Sequence, residues 1–147
     1  MAVVLYSIFP RLTPGEECAA HVVEKYKNML KDPESMKLRS NILTTSVKGK
    51  DGNYHDYYFF VASGNNSFGA SVTSTVFMYD RTYIADMDDG NKTLDDFDSY
   101  YDYEMYLAGE AVYLEWGIYG KTSKNYVYDI EDGEKIAKSL GIKYVKS

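Results

Sequence analysis

Side chains suited to acid–base or nucleophilic chemistry are scarce in this sequence. It contains two histidines, His21 and His55, and one cysteine, Cys18. A hydrolytic triad needs a base, an acid that orients the base and a nucleophile, and neither histidine lies in a nucleophile motif. We therefore predict that both histidines are surface residues. Cys18 falls on the apolar side of a predicted helix, so we interpret it as a small core residue.

Acidic residues are abundant, but they do not match a known metal-binding pattern. The EF-hand loop needs glycine at position six and acidic residues at positions one, three, five and twelve. With Gly90 at position six, positions one and three fall on Ala85 and Met87, so the motif fails. One cysteine and two separated histidines do not match a zinc site. The sequence predicts no metal site and no cofactor, although a calcium site of another kind stays open.

The sharpest charge asymmetry in the chain lies in residues 79–115. This range has 11 acidic and two basic residues, a net charge of −9, whereas the rest has 11 acidic and 14 basic residues, a net charge of +3. Tyrosines alternate with the acids, and tyrosine rings add contact area at low entropic cost. We predict that the segment binds a basic partner through Asp86, Asp88, Asp89, Asp95, Asp96, Asp98, Tyr100, Tyr101, Asp102, Tyr103 and Glu104.

The leading functional hypothesis is a non-enzymatic interaction protein that binds a basic protein surface, such as that of a nucleic-acid-binding protein. Carboxylates can occupy the positions of phosphates, and a partner's arginine can pair with aspartate and stack on tyrosine. Proteins that inhibit nucleic-acid enzymes by imitating the charge of DNA have such surfaces. A solvated helix face and loop would explain the same charges without a partner. A small enzyme that uses His55 or a carboxylate pair in a cleft is a further alternative.

Length and composition are those of a single globular domain. The 147 residues are 45% hydrophobic and 26% charged, while 16 tyrosines bring the aromatic content to 16%. The net charge of −6 disfavours direct binding of nucleic acid or of an anionic membrane. The apolar run at residues 3–9 is too short to span a bilayer and lacks the basic region of a signal peptide. We predict a first strand there and a cytoplasmic protein, secreted or lipid-anchored only if a leader has been removed.

The first predicted element of the fold is an amphipathic helix at residues 14–31. Thr13 suits the N-cap, Pro14 the first helical position, and Glu16 completes a capping box. Pro33 ends the helix because a residue before proline avoids the helical conformation. Apolar residues at helical spacing form one stripe, made of Cys18, Val22, Val23, Tyr26, Met29 and Leu30.

The most β-prone part of the chain is residues 54–79. Two β-rich runs flank GNNSFG at residues 64–69, which predicts a hairpin. Apolar residues on both faces of the first run predict a central strand, and alternation in the second predicts a strand with one face exposed along much of its length. Further strands are predicted at 36–47, with a break near Ser40, and at 81–87, 111–119 and 125–128.

The remaining elements complete an α+β fold. We predict a helix at residues 94–107, with a loop followed by a strand as the rival, and a last helix capped by Asp129 and ended by Gly141. Residues 142–145 are predicted as a short strand. Because strands cluster rather than alternate with helices, we expect one domain of residues 1–147. Its N-terminal amphipathic helix should pack on an antiparallel sheet of about five to six strands, with a short C-terminal helix.

One segment carries a family resemblance. Residues 30–39 read LKDPESMKLR, a helix end in Leu-Lys-Asp-Pro followed by Ser-x-Lys and an antiparallel sheet. This order resembles small bacterial domains of unknown function that are often found in secreted or lipid-anchored proteins. The resemblance implies no catalytic residues. It supplies a second hypothesis, a structural or accessory domain of a bacterial secreted or envelope protein, although this chain lacks a lipobox cysteine.

Overall fold

The fold is described from a computed structural model that covers residues 11–89 and 92–146. Within these ranges, seven strands form one mixed sheet with helices on both faces. The α+β class predicted from the sequence is confirmed, and the sheet has slightly more strands than expected. The strand predicted at residues 3–9 lies outside the described residues. None of the described helices is both long and apolar enough to cross a bilayer.

The helices of the described ranges are α1 (Pro14–Met29), α2 (Tyr100–Tyr119) and α3 (Gly133–Leu140). Helix α1 begins as predicted. The Thr13 hydroxyl accepts the backbone N–H of Glu16, and the Glu16 carboxylate accepts the backbone N–H of Thr13. These reciprocal bonds satisfy two donors that a helix start leaves unpaired.

The central strand of the sheet is β3, which pairs with β4 along one edge. Along its other edge it pairs first with β2 and then with β1. β6 lies beyond β2, β7 lies beyond β1, and β5 lies beyond β4. The β1–β7 pair is parallel and the other pairs are antiparallel. The strands are β1 (Lys37–Leu38), β2 (Ile42–Lys48), β3 (Tyr54–Asn65), β4 (Ser71–Tyr79), β5 (Thr82–Asp86), β6 (Tyr128–Glu131) and β7 (Lys143–Tyr144).

Hydrophobic side chains fill a core on each side of the sheet within the described residues. Helices α1 and α3 cover Phe60 on one face, and α2 covers Phe59 and Phe77 on the other. The predicted central strand is confirmed, because Phe59 and Phe60 point to opposite faces and are each only 2% exposed. The predicted exposed face of β4 is shorter than expected, since only residues 71–73 are exposed. The predicted break near Ser40 is confirmed.

The largest correction concerns the region after residue 93. Leu94–Asp96 is a single 3-10 turn, and α2 then runs without a break through the predicted strand at 111–119. Its first turn is capped by Ser99, whose hydroxyl accepts the backbone N–H of Asp102. Gly109, which appeared to break the segment, lies inside the helix. A Cβ there would come within 2.1 Å of the Phe77 ring, so the glycine allows close helix–sheet contact.

Two C-terminal predictions are also corrected. The strand predicted at 125–128 becomes β6, which overlaps that range only at Tyr128 and pairs with β2. The cap of the last helix is Asp132, not Asp129, because the Asp132 carboxylate accepts the backbone N–H of Lys135. The predicted helix end is confirmed, since Gly141 adopts the left-handed conformation at the C-cap.

The apolar stripe of α1 is rotated relative to its prediction. Cys18 is exposed and is therefore not a core residue. Met29 is also exposed, because α1 turns its small side chains and valines to the sheet, namely Ala19, Ala20, Val22 and Val23. The segment of the family resemblance forms the end of α1, the 3-10 turn Pro33–Ser35 and β1. The resemblance itself stays a prediction.

Candidate functional site

The predicted site residues near β5 are held by the sheet. Asp86 ends β5 and accepts the hydroxyl of Tyr83 at 2.9 Å. Asp88 follows in the 3-10 turn Met87–Asp89 and accepts the backbone N–H of Thr75 at 2.5 Å. Burial raises the pKa of the Asp86 carboxyl. The carboxylates of Asp86 and Asp88 therefore stabilise the β4–β5 edge.

The predicted aspartates before α2 differ in their surroundings. Asp95 and Asp98 are exposed. Asp96 accepts the backbone N–H of Thr93 at 2.7 Å and so stabilises the turn. Asp102 lies in the first turn of α2, where a negative charge interacts favourably with the helix dipole. Asp95 and Asp98 are therefore the two that can meet a partner without loss of a structural bond.

The tyrosines at the start of α2 also divide into two kinds. Tyr100 and Tyr101 are 62% and 59% exposed. Tyr103 is partly buried and packs its ring against Phe97, with 5.8 Å between ring centroids. Tyr103 therefore supports the helix, whereas Tyr100 and Tyr101 present large amphipathic rings to the solvent.

A groove of about 690 Å³ lies between the first half of α2 and the turn that joins β2 to β3. The exposed side chain of Lys50 and the partly buried side chain of Glu104 lie at this groove, with 3.7 Å between Nζ and Oε2. Its volume is within the usual range for pockets that hold a small molecule. The rings that line it are Tyr57, Tyr79, Tyr100 and Tyr101.

A histidine–carboxylate network lies at one end of this groove. The Nδ1 atom of His55 lies 2.9 Å from Oδ2 of Asp80, and its Nε2 atom lies 2.9 Å from Oδ2 of Asp51. The ring stacks on Tyr79 with 5.1 Å between centroids. Hydrogen bonds to Asp80 and then to Asp51 raise the pKa of His55. Both ring nitrogens therefore have a carboxylate partner.

The hydroxyls of Tyr57 and Tyr79 at the groove are held in the protonated state. Burial, followed by the neighbouring Tyr126 and Tyr101, raises the pKa of Tyr57 to about 12. Burial and then Tyr101 also raise the pKa of Tyr79. These hydroxyls are therefore neutral hydrogen-bonding groups at physiological pH.

Sequence reasoning missed the His55 network because it treated both histidines as isolated surface residues. His21 is exposed, as predicted, but the His55 side chain is only 21% exposed. Asp80 lies far from His55 in sequence and comes beside it through the β3–β4 pairing, in which Tyr57 faces Tyr79. Asp80 also has a φ of +50°, which aspartate tolerates better than most residues. The hairpin register was the one signal that could have placed the pair.

All charged side chains of α2 and of the turn before it are acidic. No lysine or arginine occurs between Lys92 and Lys121, whereas seven acidic residues do. The structure gathers this stretch into one turn and one long helix. The helix itself carries Asp102, Glu104, Glu110 and Glu115.

Apolar residues lie on two opposite faces of α2. One face packs on the sheet, with Tyr106, Gly109 and Val112 buried. The other is turned to solvent, where Leu107, Leu114 and Ile118 are 43%, 58% and 72% exposed. The sequence analysis missed this face because it predicted a strand at 111–119. Together with the exposed Ala111, these residues are spaced four, three and four positions apart, so they lie along one side of the helix. We call this set the outer stripe: Leu107, Ala111, Leu114 and Ile118.

Comparison with known proteins assigns neither a family nor a function to this chain. No family model matches the chain, and no curated protein or solved structure shows significant similarity to it. In residues 11–89 and 92–146, no group of three His, Cys, Asp or Glu side chains is arranged to hold a metal ion. The features that bear on function are therefore the charge and exposure of α2 and of the turn before it.

Proposed function

We propose that this protein is a non-enzymatic interaction protein that binds a basic surface of a partner protein through the start of α2. The contact surface is the acidic end, which we define as Asp95, Asp98, Tyr100, Tyr101 and Glu104. One observation carries the proposal: two largely exposed tyrosine rings stand among carboxylates on a stretch that has no basic residue.

The chemistry of the acidic end suits lysine and arginine. A guanidinium can pair with a carboxylate and stack on a tyrosine ring at the same time. In the Lys50–Glu104 pair the lysine is almost fully exposed and the glutamate partly so, and ion pairs at the surface contribute little to stability. A cation of the partner can therefore replace Lys50 beside Glu104 at a small cost.

The charge of the whole stretch favours rapid association with a basic protein. Seven acidic residues without a base create a negative potential around α2. Such a potential accelerates the encounter with a positive surface, and the acceleration falls as salt is added. A nucleic-acid-binding protein presents a positive surface of this kind, in keeping with an inhibitor that imitates nucleic acid.

The state of His55 supports a binding role over an enzymatic one. His55, whose partner Asp51 lines the groove, has both ring nitrogens hydrogen-bonded to carboxylates. A general base needs one nitrogen within reach of its substrate. The network instead fixes the turn that holds Asp51 and the turn that holds Asp80.

A double charge reversal tests the proposal. Asp95→Lys with Asp98→Lys changes the acidic end without touching Asp96, which stabilises its turn. Immobilised wild-type protein should retain basic proteins from an extract of its source cells and release them as salt is raised. The variant should retain about tenfold less of each, because the attraction of opposite charges is replaced by repulsion.

The matched control is Glu24→Lys with Asp129→Lys. Both residues are exposed and lie on the α1 side of the sheet or at its edge, and the change in net charge is the same. This control should retain the basic proteins as the wild type does. The proposal is wrong if both variants lose them equally, if neither loses them, or if the retained proteins are not basic.

A further inference from the structure

The outer stripe of α2 is an apolar face that nothing in residues 11–89 and 92–146 covers. Helices with apolar residues all round are normally buried between two layers. Here the sheet covers one face, while Leu114 and Ile118 remain mostly in solvent. The stripe runs for about 16 Å along the helix at the usual rise per residue. The stripe is therefore three helical turns long, enough for a second helix or strand to pack against it.

The stripe is edged by carboxylates on both sides. At 3.6 residues per turn, Glu104 and Glu115 fall on one side of it and Glu110 on the other. Glu110 accepts the hydroxyl of Tyr106 at 2.8 Å, and Glu115 accepts hydrogen bonds from the loop that follows the helix. These bonds orient the carboxylates and leave their negative charge in place.

The charge of these edges decides which occupant fits the stripe. A second copy of α2 would bring glutamates against glutamates, and α2 has no base with which to offset them. An anionic membrane would be repelled for the same reason. A helix with an apolar seam and basic edges would pack on the stripe and pair with the glutamates, as facing helices of a coiled coil do.

We infer that α2 docks an amphipathic α-helix of the partner. Its apolar residues pack on Leu107, Ala111, Leu114 and Ile118, and its lysines or arginines face Glu104, Glu110 and Glu115. This inference rests on the proposed function and specifies the part of the basic partner that binds. The stripe continues from the acidic end, since Glu104 belongs to the one and borders the other.

Two synthetic peptides test this inference by fluorescence anisotropy. Each has three heptads with leucine at positions a and d, and they differ only in lysine or glutamate at positions e and g. The lysine peptide should bind the full chain in a saturable manner, and the glutamate peptide should bind at least about tenfold more weakly. Like charges at e and g also keep each peptide from pairing with itself.

Substitutions in the stripe locate the contact. Leu114→Gln with Ile118→Gln should weaken binding of the lysine peptide by about tenfold or more, since buried contacts at the centre of an interface dominate its affinity. Both side chains are exposed, so circular dichroism should show an unchanged fold. The matched control is Phe68→Gln with Val127→Gln, two exposed apolar residues outside α2, and it should bind as the wild type does.

Five results would overturn the inference. Four of them are no binding of the lysine peptide, equal binding of both peptides, unchanged binding by the stripe variant, and use of the stripe for another occupant. A dimer in analytical ultracentrifugation, or flotation with phosphatidylserine vesicles, would show that last case if the stripe variant abolished it. If the stripe variant still retains basic proteins from the extract but Asp95→Lys with Asp98→Lys does not, the inference fails and the proposed function stands.

Discussion

At the scale of single residues, His55 shows how two turns are tied together. Asp51 belongs to the turn between β2 and β3, and Asp80 to the turn between β4 and β5. Asp80 also accepts the backbone N–H of Asp56 at 2.8 Å. A protonated His55 donates to both carboxylates, so the imidazolium bridges two turns that are separated in sequence. The link between the two turns beside the groove therefore depends on the protonation of His55.

This bridge predicts a dependence of stability on pH. The folded protein holds the proton of His55 more tightly than the unfolded chain, because Asp80 and Asp51 raise its pKa. The contribution of His55 is therefore complete below about pH 6.5 and is lost as the pH rises through the folded-state pKa. Urea unfolding of the wild type and of His55→Gln measures it, since the titrating groups that His55 does not contact are common to both.

The difference in free energy of unfolding between the two proteins should be largest in mildly acidic solution, where Asp51 is still ionised, and should shrink as the pH rises through the folded-state pKa of His55. A difference that does not change with pH would contradict the predicted role. NMR titration of the His55 ring provides an independent measurement, and its pKa should fall when Asp80 is replaced by Asn.

Residue-scale features were predictable from the sequence where they depend on near neighbours. The Thr13–Glu16 capping box was predicted because its partners are three residues apart. The His55 network was not, because Asp80 reaches it only through the register of a hairpin. Cys18 was misplaced for a related reason: apolar spacing gives a helix face only to within one residue.

At the scale of elements, α2 explains most of the errors in the prediction. Its residues 111–119 are rich in β-prone side chains and lack a polar face, so they read as a strand. The helix forms because its inner face packs on the sheet, and tertiary contacts outweigh the local preference of these residues. The Tyr128 hydroxyl also donates to the carbonyl of Val112 at 2.6 Å, which fixes α2 against β6.

The contact of α2 with the sheet predicts opposite effects at two glycines. Gly109→Ala should lower the free energy of unfolding by about 1–3 kcal/mol, because the new methyl group overpacks against Phe77. Gly117→Ala adds the same methyl group to the same helix in open space, so it should raise that free energy by up to about 1 kcal/mol.

Urea denaturation of the two glycine variants measures both effects. Gly117→Ala controls for helix propensity, because alanine favours the helix equally at the two positions. Equal stability of the two variants would show that α2 can move away from Phe77 without cost, and it would refute a tight helix–sheet contact.

At the scale of the whole molecule, the two cores share β3. Phe60 faces α1 and α3, and the adjacent Phe59 faces α2. The only tryptophan of the chain, Trp116, lies on α2 and packs on Tyr128 with 5.1 Å between ring centroids. It therefore reports on the α2 side alone, while circular dichroism reports on all elements.

A substitution on the other side of the sheet tests whether the chain unfolds as one unit. Phe60→Leu should lower the free energy of unfolding by about 1 kcal/mol, because it removes buried contacts next to α1. If the sheet couples the cores, Trp116 fluorescence and far-UV circular dichroism should shift to the same lower urea midpoint. A fluorescence transition that stays in place would show that the α2 layer unfolds independently.

For the whole molecule, the sequence predicted the fold class well but predicted the order of the strands in the sheet less well. The hairpin at residues 54–79 and its central strand follow from local patterns, and they organise the observed sheet. The two edges of β3 were not predictable, because β6 and β7 come from the end of the described chain and join β2 and β1. The outer stripe escaped notice because it exists only if residues 107–118 are helical.

The parallel pairing of β7 with β1 has a consequence for synthesis on the ribosome. Among the described residues, the outer edge of β1 pairs only with β7, and the backbone N–H of Val145 donates to the carbonyl of Leu38 at 2.9 Å. Translation releases β1 early and β7 late, so this edge waits while the intervening chain emerges. Unpaired strand edges can template pairing with another chain. A nascent chain stalled before residue 143 would therefore expose an unpaired edge of β1 that can pair with other chains and that β7 covers in the folded protein.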